Sequence, residues 1–235
     1  MAAPRPGGHF YRARNLFWVD RQCAIVPAPA GRAQNGMAKL YFSYAAMNAG
    51  KSTMLLQAAY NYQERGMRAL LLTSSLYAEE GVGMIRSRLG VSSPAESFGD
   101  SEDLYDFVRE RTLPGKIDCV FVDEAQFLTD AQVWQLARVA DRLKIPVMAF
   151  GLRTDFQGKL FPGSMALLAI ADELREIRTI CHCGHKATMV VRQDMQGRTL
   201  LEGEQVSIEK SVYVSLCRQH WEEETGRWPV KGPRL

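Results

Sequence analysis

The 235-residue sequence has no apolar run long enough to cross a bilayer, and its N-terminus lacks the continuous apolar stretch of a secretory signal. A cytoplasmic protein without a membrane partner is expected. Charge of one sign is also scarce. The net charge is +3, and residues 1–36 hold Arg5, Arg12, Arg14, Arg21 and Arg32 against Asp20 alone, which is +4 and leaves −1 for the remainder. A near-neutral body is poorly suited to holding nucleic acid through its phosphates, so no direct nucleic-acid contact is expected. Cysteine is sparse as well. Cys23 lies near the N-terminus, Cys119 in an apolar stretch, and only Cys181, Cys183 and Cys217 cluster, beside histidines. That grouping suggests a metal site, not disulfides. Outside the N-terminal segment there are no internal repeats or low-complexity tracts.

Residues 1–36 contain Pro4, Pro6, Pro27 and Pro29 and no amphipathic period, and read as a poorly ordered leader. Met37, just before a good strand, is an alternative start, and an Arg-rich targeting segment is a further reading. Beyond it, apolar runs alternate with helical periods. Strands are expected at Lys39–Tyr44, Arg68–Thr73, Ile117–Val122 and Ile145–Gly151, with a fifth at Leu174–Ile180. Helices are expected at Lys51–Arg65, Ser101–Arg111, Asp130–Leu143 and near Ser164–Ala171, while residues 74–100 read as loop with a weak strand. This alternation predicts an α/β fold with a parallel sheet, helices on both faces and ligands at the carboxyl ends of the strands. The expected division is a phosphate-loop nucleotide-binding domain over 37–180, a small zinc module over 181–221 and a flexible tail over 222–235.

Two motifs carry the chemistry. Ala45-Ala-Met-Asn-Ala-Gly-Lys-Ser-Thr53 follows the first strand and opens a helix. In such a phosphate-binding loop the backbone N–H groups of Ala45, Ala46, Met47, Asn48, Ala49 and Gly50 face an anion. Lys51 reaches the β- and γ-phosphates, and the Ser52 hydroxyl sits on Mg²⁺. The usual first glycine is replaced by Ala45. The second motif, Phe121-Val-Asp-Glu-Ala-Gln-Phe127, puts Asp123 at the end of an apolar strand, the position that holds Mg²⁺ directly or through water. Its neighbour Glu124 is placed either to polarise a water or to take a proton from a substrate hydroxyl. Ala125 and Gln126 complete the expected ATP contacts.

Near the C-terminus, Cys181-His-Cys-Gly-His185 and Cys217-Arg-Gln-His220 offer thiolate and imidazole. Cys181, Cys183, Cys217 and His220 make a closed four-ligand set for structural Zn²⁺, with His182 or His185 as a replacement for one cysteine because Cys-x-Cys is tight. Phe127, Phe156, Phe161 and Tyr213 read first as packing residues. Their position near strand ends also allows a pocket for a flat base.

Taken together, these motifs resemble the type II thymidine kinase family, in particular its bacterial branch, from about Met37 to Trp221. The resemblance adds Gly151-Leu-Arg-Thr-Asp-Phe156 in the family's order. It implies a RecA-like phosphate-loop fold and ATP-dependent phosphorylation of the thymidine 5′-hydroxyl, deoxyuridine being a second acceptor, in nucleotide salvage for DNA synthesis. Glu124 is the implied base. Met47, Phe127, Leu152, Phe156, Phe161, Val190 and Tyr213 are the implied lining for the deoxynucleoside. A lasso-like loop over Lys186–Tyr213 closes on the base, and a homotetramer with feedback inhibition by thymidine triphosphate is implied. One element departs from the family. Where an Asp-x-Arg is usual, the chain reads Ser75-Leu-Tyr-Ala-Glu-Glu-Gly81, with Glu79 and Glu80 in place of a cation. Arg86, Arg88 or Arg153 is then expected to fill that role, or turnover is reduced. The remaining alternatives are a phosphate-loop ATPase acting on DNA and a nucleotide-binding homologue without turnover.

Overall fold

The computed structural model describes residues 37–77, 83–205 and 211–227. The leader, Glu79 and Glu80, and the end of the tail lie outside the described residues. β1 (Leu40–Ala45) runs into α1 (Lys51–Glu64) and β2 (Ala69–Ser74). A hairpin of β3 (Met84–Arg86) and β4 (Ser92–Pro94) precedes β5 (Glu96–Phe98) and α2 (Leu104–Arg111). Then follow β6 (Cys119–Val122), α3 (Asp130–Arg138), β7 (Val147–Leu152), α4 (Pro162–Ile170) and β8 (Glu173–Glu176). These strands form one six-stranded sheet in the order β5-β2-β6-β7-β1-β8, and every neighbouring pair is parallel.

Successive side chains of a strand face opposite sides, so each central strand feeds two cores. Tyr41, Leu71, Phe121 and Met148 pack under α1 with Leu55, Ala58, Ala59 and Tyr62. Phe42, Leu72, Val120, Val122 and Val147 pack on the other face with Leu104 and Val108 of α2, Val133 and Leu136 of α3, and Leu167 of α4. Burial on both faces explains why these strands read as continuous apolar runs. Each fully buried Leu or Phe contributes about 1.5–3 kcal/mol.

Helix ends follow local capping chemistry. The helix expected from Ser101 begins three residues later, because the Asp103 carboxylate accepts from the amides of Tyr105 and Asp106 at 2.9 and 3.0 Å. α3 is opened by a capping box between Thr129 and Gln132. It continues as a wider π-helical turn over Val139–Leu143, stopped by Lys144 in the left-handed region. α4 packs against Ala125–Leu128 so closely that a Cβ on Gly163 would lie 2.6 Å from two carbonyl oxygens. The segment read as loop supplies an edge strand, β5, and the hairpin β3–β4.

The expected fifth strand is divided. β8 ends at Glu176, paired with Tyr44 one residue before the end of β1, and the chain leaves the sheet. β9 (Thr179–Ile180) then pairs antiparallel with β10 (Lys186–Ala187). β11 (Met189–Gln193) lies between β12 (Thr199–Leu200) and β13 (Val212–Leu216) in a second small sheet. α5 (Arg218–Thr225) covers it, with Trp221 in a small core of Cys181, Ala187, Val191 and Leu216. Thus residues 222–225, expected in the tail, are helical. No helix among the described residues is long and apolar enough to cross a membrane.

Candidate active site

β7 separates the two motif-bearing strands, so the phosphate loop after β1 and the acid pair after β6 meet at the carboxyl edge of the sheet. Asn48 and Gly50 adopt left-handed backbone angles (φ 61° and 83°), which turn the chain sharply into α1. Gly50 is the residue that tolerates this without a Cβ penalty. Lys51 is the first residue of α1 and is buried, which lowers its pKa against the opposing pull of Glu124 and Asp123.

The Ser52 hydroxyl donates to Asp123 Oδ2 at 2.9 Å. Asp123 is buried, and its Oδ1 has no hydrogen-bond partner. Burial, then repulsion from Glu124, push its carboxyl up to about 6. An orphaned buried carboxylate oxygen beside a hydroxyl is a donor set suited to Mg²⁺, which takes oxygen ligands and completes its shell with water and phosphate. Residues Ser52 and Asp123 therefore fit the ion.

Glu124 has φ 51°, a left-handed angle that costs a non-glycine residue energy and is found where surroundings impose it. Its carboxylate is held by Gln126, whose Nε2 donates to Glu124 Oε2 at 2.5 Å while its Oε1 accepts from the Leu152 amide at 2.9 Å. The side chains of Ala125 and Gln126, both expected on ATP, are buried, Gln126 only 1% exposed, below the left-handed turn at Glu124.

A cavity of about 510 Å³ joins these groups. Met47–Met54 line it together with Arg86, Ser87, Arg88, Leu89, Glu124 and Leu152. Ala45 lies outside it, buried in the sheet opposite Leu152, and Ala46 does not line it either. Of the three arginines considered for the missing cation, Arg86 and Arg88 line the cavity, and the positive charge of Arg88 is felt at Lys51. Ser87 and Thr53 share a hydroxyl–hydroxyl hydrogen bond that ties their hairpin turn to α1. Arg153 is directed elsewhere, donating to the Thr188 carbonyl at 3.0 Å.

Some of the residues expected around the base lie near one another. Phe127 and Phe161 meet edge to face at 5.8 Å, and Leu152, Phe156 and Phe161 are buried. The small module is docked on the phosphate loop, as Asn48 Nδ2 donates to the Tyr213 carbonyl at 3.1 Å and Ser215 Oγ to the Met47 carbonyl at 2.5 Å. Val190 is buried in β11, and its carbonyl accepts from the Trp221 indole at 2.9 Å. Residues 206–210 of the lasso-like loop lie outside the described residues.

The ligating atoms of Cys181, Cys183, Cys217 and His220 lie within 4.8 Å of one another. His220 Nδ1 is 3.4 Å from Cys181 Sγ and 3.2 Å from Cys217 Sγ, and Cys183 and Cys217 sulfurs are 3.9 Å apart. Ligands at about 2.3 Å on a tetrahedron are separated by about 3.8 Å, so the set fits Zn²⁺. Burial opposes ionisation of Cys181, but hydrogen bonds from the backbone of Cys183 and Cys217 bring the thiol down to about 6. His185 Nδ1 lies 3.2 Å from Cys183 Sγ, and the His182 ring lies 4.2 Å from that of His220 at a 47° tilt, both outside this set.

A family model described as thymidine kinase matches residues 38–221. The chain belongs to the thymidine kinase family. Within that family it is 64% identical to a thymidine kinase of Mesorhizobium japonicum over 191 residues, covering 81% of this chain and 94% of the relative. It is 65% identical over 190 residues to that of Rhizobium meliloti, covering 80% and 97%. With the thymidine kinase of Ruegeria pomeroyi it shares 59% identity over 197 residues, covering 83% and 100%. The sheet and Cys/His cluster agree with thymidine kinase family membership. Sequence spacing marked the loop, the acid pair and the Cys/His cluster that the fold brings together, but it carried no signal for the Gln126–Glu124 bond or for the Met47–Ser215 tether.

Proposed function

We propose that this chain transfers the γ-phosphoryl group of ATP to the 5′-hydroxyl of thymidine, giving thymidine monophosphate and ADP. The observation that carries this reading is the shared cavity. The phosphate loop and the carboxylate of Glu124 open onto the same space, with Gln126 fixing the carboxylate. Phosphoryl transfer depends on positioning and charge neutralisation more than on covalent chemistry.

The N–H groups at the start of α1 hold the phosphates, and Lys51 brings a cation to the β- and γ-oxygens. Arg88, with Arg86 beside it, supplies the further positive charge for which Glu79 and Glu80 are unsuited. Ser52 and Asp123 would hold Mg²⁺, which when bound would neutralise charge on the phosphates. Glu124 orients the thymidine 5′-hydroxyl and takes its proton as the oxygen attacks phosphorus. Met47, Phe127, Leu152, Phe156, Phe161, Val190 and Tyr213 enclose the deoxynucleoside and exclude water, which would compete as acceptor. Cys181, Cys183, Cys217 and His220 would hold Zn²⁺ in a structural role, since four protein ligands would leave no open position. A homotetramer and feedback inhibition by thymidine triphosphate belong to the same proposal, as does a cytoplasmic location.

Incubation with ATP, Mg²⁺ and thymidine tests this. Thymidine monophosphate formed with ADP in equal amounts supports it. ADP alone, stimulated by DNA, would favour a DNA-dependent ATPase, and nucleotide binding without turnover a degenerate homologue.

A further inference from the structure

Among the described residues two cationic side chains are buried, Lys51 and Arg192. Lys51 belongs to the phosphate loop. Arg192, on β11, is 5% exposed, and no carboxylate among the described residues pairs with it. Its Nη1 donates to the carbonyl of Glu204 at 3.0 Å and its Nη2 to that of Glu202 at 3.1 Å. Its guanidinium carbon stands 4.1 Å above the ring centre of Phe156, and its Nε is buried without a partner. Burying a cation without a counter-ion is costly, and an apolar side chain of similar volume would pack there more cheaply.

What Arg192 holds accounts for that cost. On one side is the segment 202–204, on the other the ring of Phe156. The same two pieces are joined again by Gln205, whose Nε2 donates to Asp155 Oδ2 at 2.9 Å, and by Gln157, whose Nε2 donates to the Gly203 carbonyl at 3.3 Å. The backbone of Phe156 is fixed separately, its carbonyl accepting from the Trp221 indole at 3.2 Å. Gly203 has φ +126°, and a Cβ there would lie 2.3 Å from Arg192 Nη2. The chain approaches the guanidinium closely because that residue has no side chain.

We propose that Arg192 is a positioning residue for the acceptor nucleoside, locking the Phe156 ring and the segment 202–204 into one arrangement around the base. This rests on the reading of Phe156 as part of the thymidine pocket. Only a planar fork donates to two carbonyls while stacking on a ring, so lysine is not a conservative replacement here. Loss of the lock loosens the acceptor wall and admits water, leaving the phosphate loop untouched.

Steady-state kinetics of the full chain test this with Arg192→Lys, Gly203→Ala and Phe156→Ala. Arg192→Lys is expected to raise the thymidine KM about tenfold or more, with the ATP KM within threefold of the parent. The ratio of ADP to thymidine monophosphate formed should rise above one, a leak that loss of stability alone does not produce. Gly203→Ala, at an exposed position, should reproduce both effects, and it decides the matter if Arg192→Lys does not fold. If Phe156→Ala raises the thymidine KM while Gly203→Ala and any folded Arg192→Lys keep parental values, the inference is overturned. It is equally overturned if the KM values for ATP and thymidine rise together with a product ratio of one. A thymidine KM unchanged in Phe156→Ala would instead remove the acceptor-pocket reading beneath it.

Discussion

Ser52 and Asp123 are 71 residues apart in the chain, and a 2.9 Å hydrogen bond joins them at the edge of the sheet. The bond uses one carboxylate oxygen of Asp123 and leaves Oδ1 buried and unpartnered. A polar atom in that state costs free energy unless something completes its shell, and a hydrated cation does so. Asp123→Asn should therefore weaken Mg²⁺ binding strongly with little change in fold. Titration of Mg²⁺ against activity and calorimetry of the metal interaction check this, and an unchanged Mg²⁺ requirement would remove Asp123 from the site.

The same carboxyl sets a pH dependence. It is raised to about 6 by burial and by Glu124, whereas an unfolded Asp titrates near 4 (about 3.9). Between those values the folded, metal-free chain holds the extra proton. Its contribution to stability is therefore full below about pH 4 and lost as the pH rises through about 6. Denaturation in EDTA across that range should show the decline, and Asp123→Asn should flatten it. Mg²⁺ needs the ionised form, so its affinity should rise over the same interval.

Glu124→Gln should retain nucleotide binding while phosphoryl transfer falls by about a hundredfold or more, the scale of lost general-base help. Gln126→Met removes the clamp on Glu124 and on the Leu152 amide. A smaller fall in kcat with parental ATP binding is expected. Single-turnover measurements separate the two variants, and full activity of Glu124→Gln would dismiss it as the base.

The cation that replaces the missing arginine can be located. Arg88→Gln should raise the ATP KM, since this side chain lines the phosphate cavity and its charge is felt at Lys51. Glu79→Arg should raise turnover by restoring positive charge. A parental ATP KM in Arg88→Gln would return the role to Arg86.

In the small module, Cys217→Ser should release zinc, because the ligand set has no spare member within its 4.8 Å cluster. α5 begins at the next residue and carries Trp221 into the core, so indole fluorescence should shift as zinc is lost. Metal analysis of the parent chain with no zinc would end this assignment. In the main domain, Phe121→Ala should cost about 3–5 kcal/mol. That ring is fully buried under α1, edge-on to Tyr62 at 5.7 Å, and denaturant unfolding measures the loss.

Much of the fold was legible because its signals are local. Apolar runs buried on both faces mark β1, β2, β6 and β7, and Gly50-Lys51-Ser52 after β1 marks the opening of α1. Boundaries were less legible. Ser101 looked like a helix start, but Asp103 has the carboxylate that reaches the first free amides. Leu174–Ile180 looked like one strand, but its pairing with β1 ends at Glu176 and Thr179–Ile180 pair instead with Lys186–Ala187. The burial of Ala125 and Gln126 was not legible either, because it follows from the left-handed turn at Glu124, which no local pattern announces.

The sequence alone determined which chemical groups this protein commands: a phosphate loop, two adjacent carboxylates and a thiolate–imidazole set, each written in a few consecutive residues. Tertiary structure alone decided which of them meet. Ser215 reaches Met47 across 168 residues, Gln126 links Glu124 to the Leu152 amide, and Arg192 covers Phe156. Those meetings follow from strand order and from how closely packed elements approach, and neither is encoded in the spacing of residues along a chain.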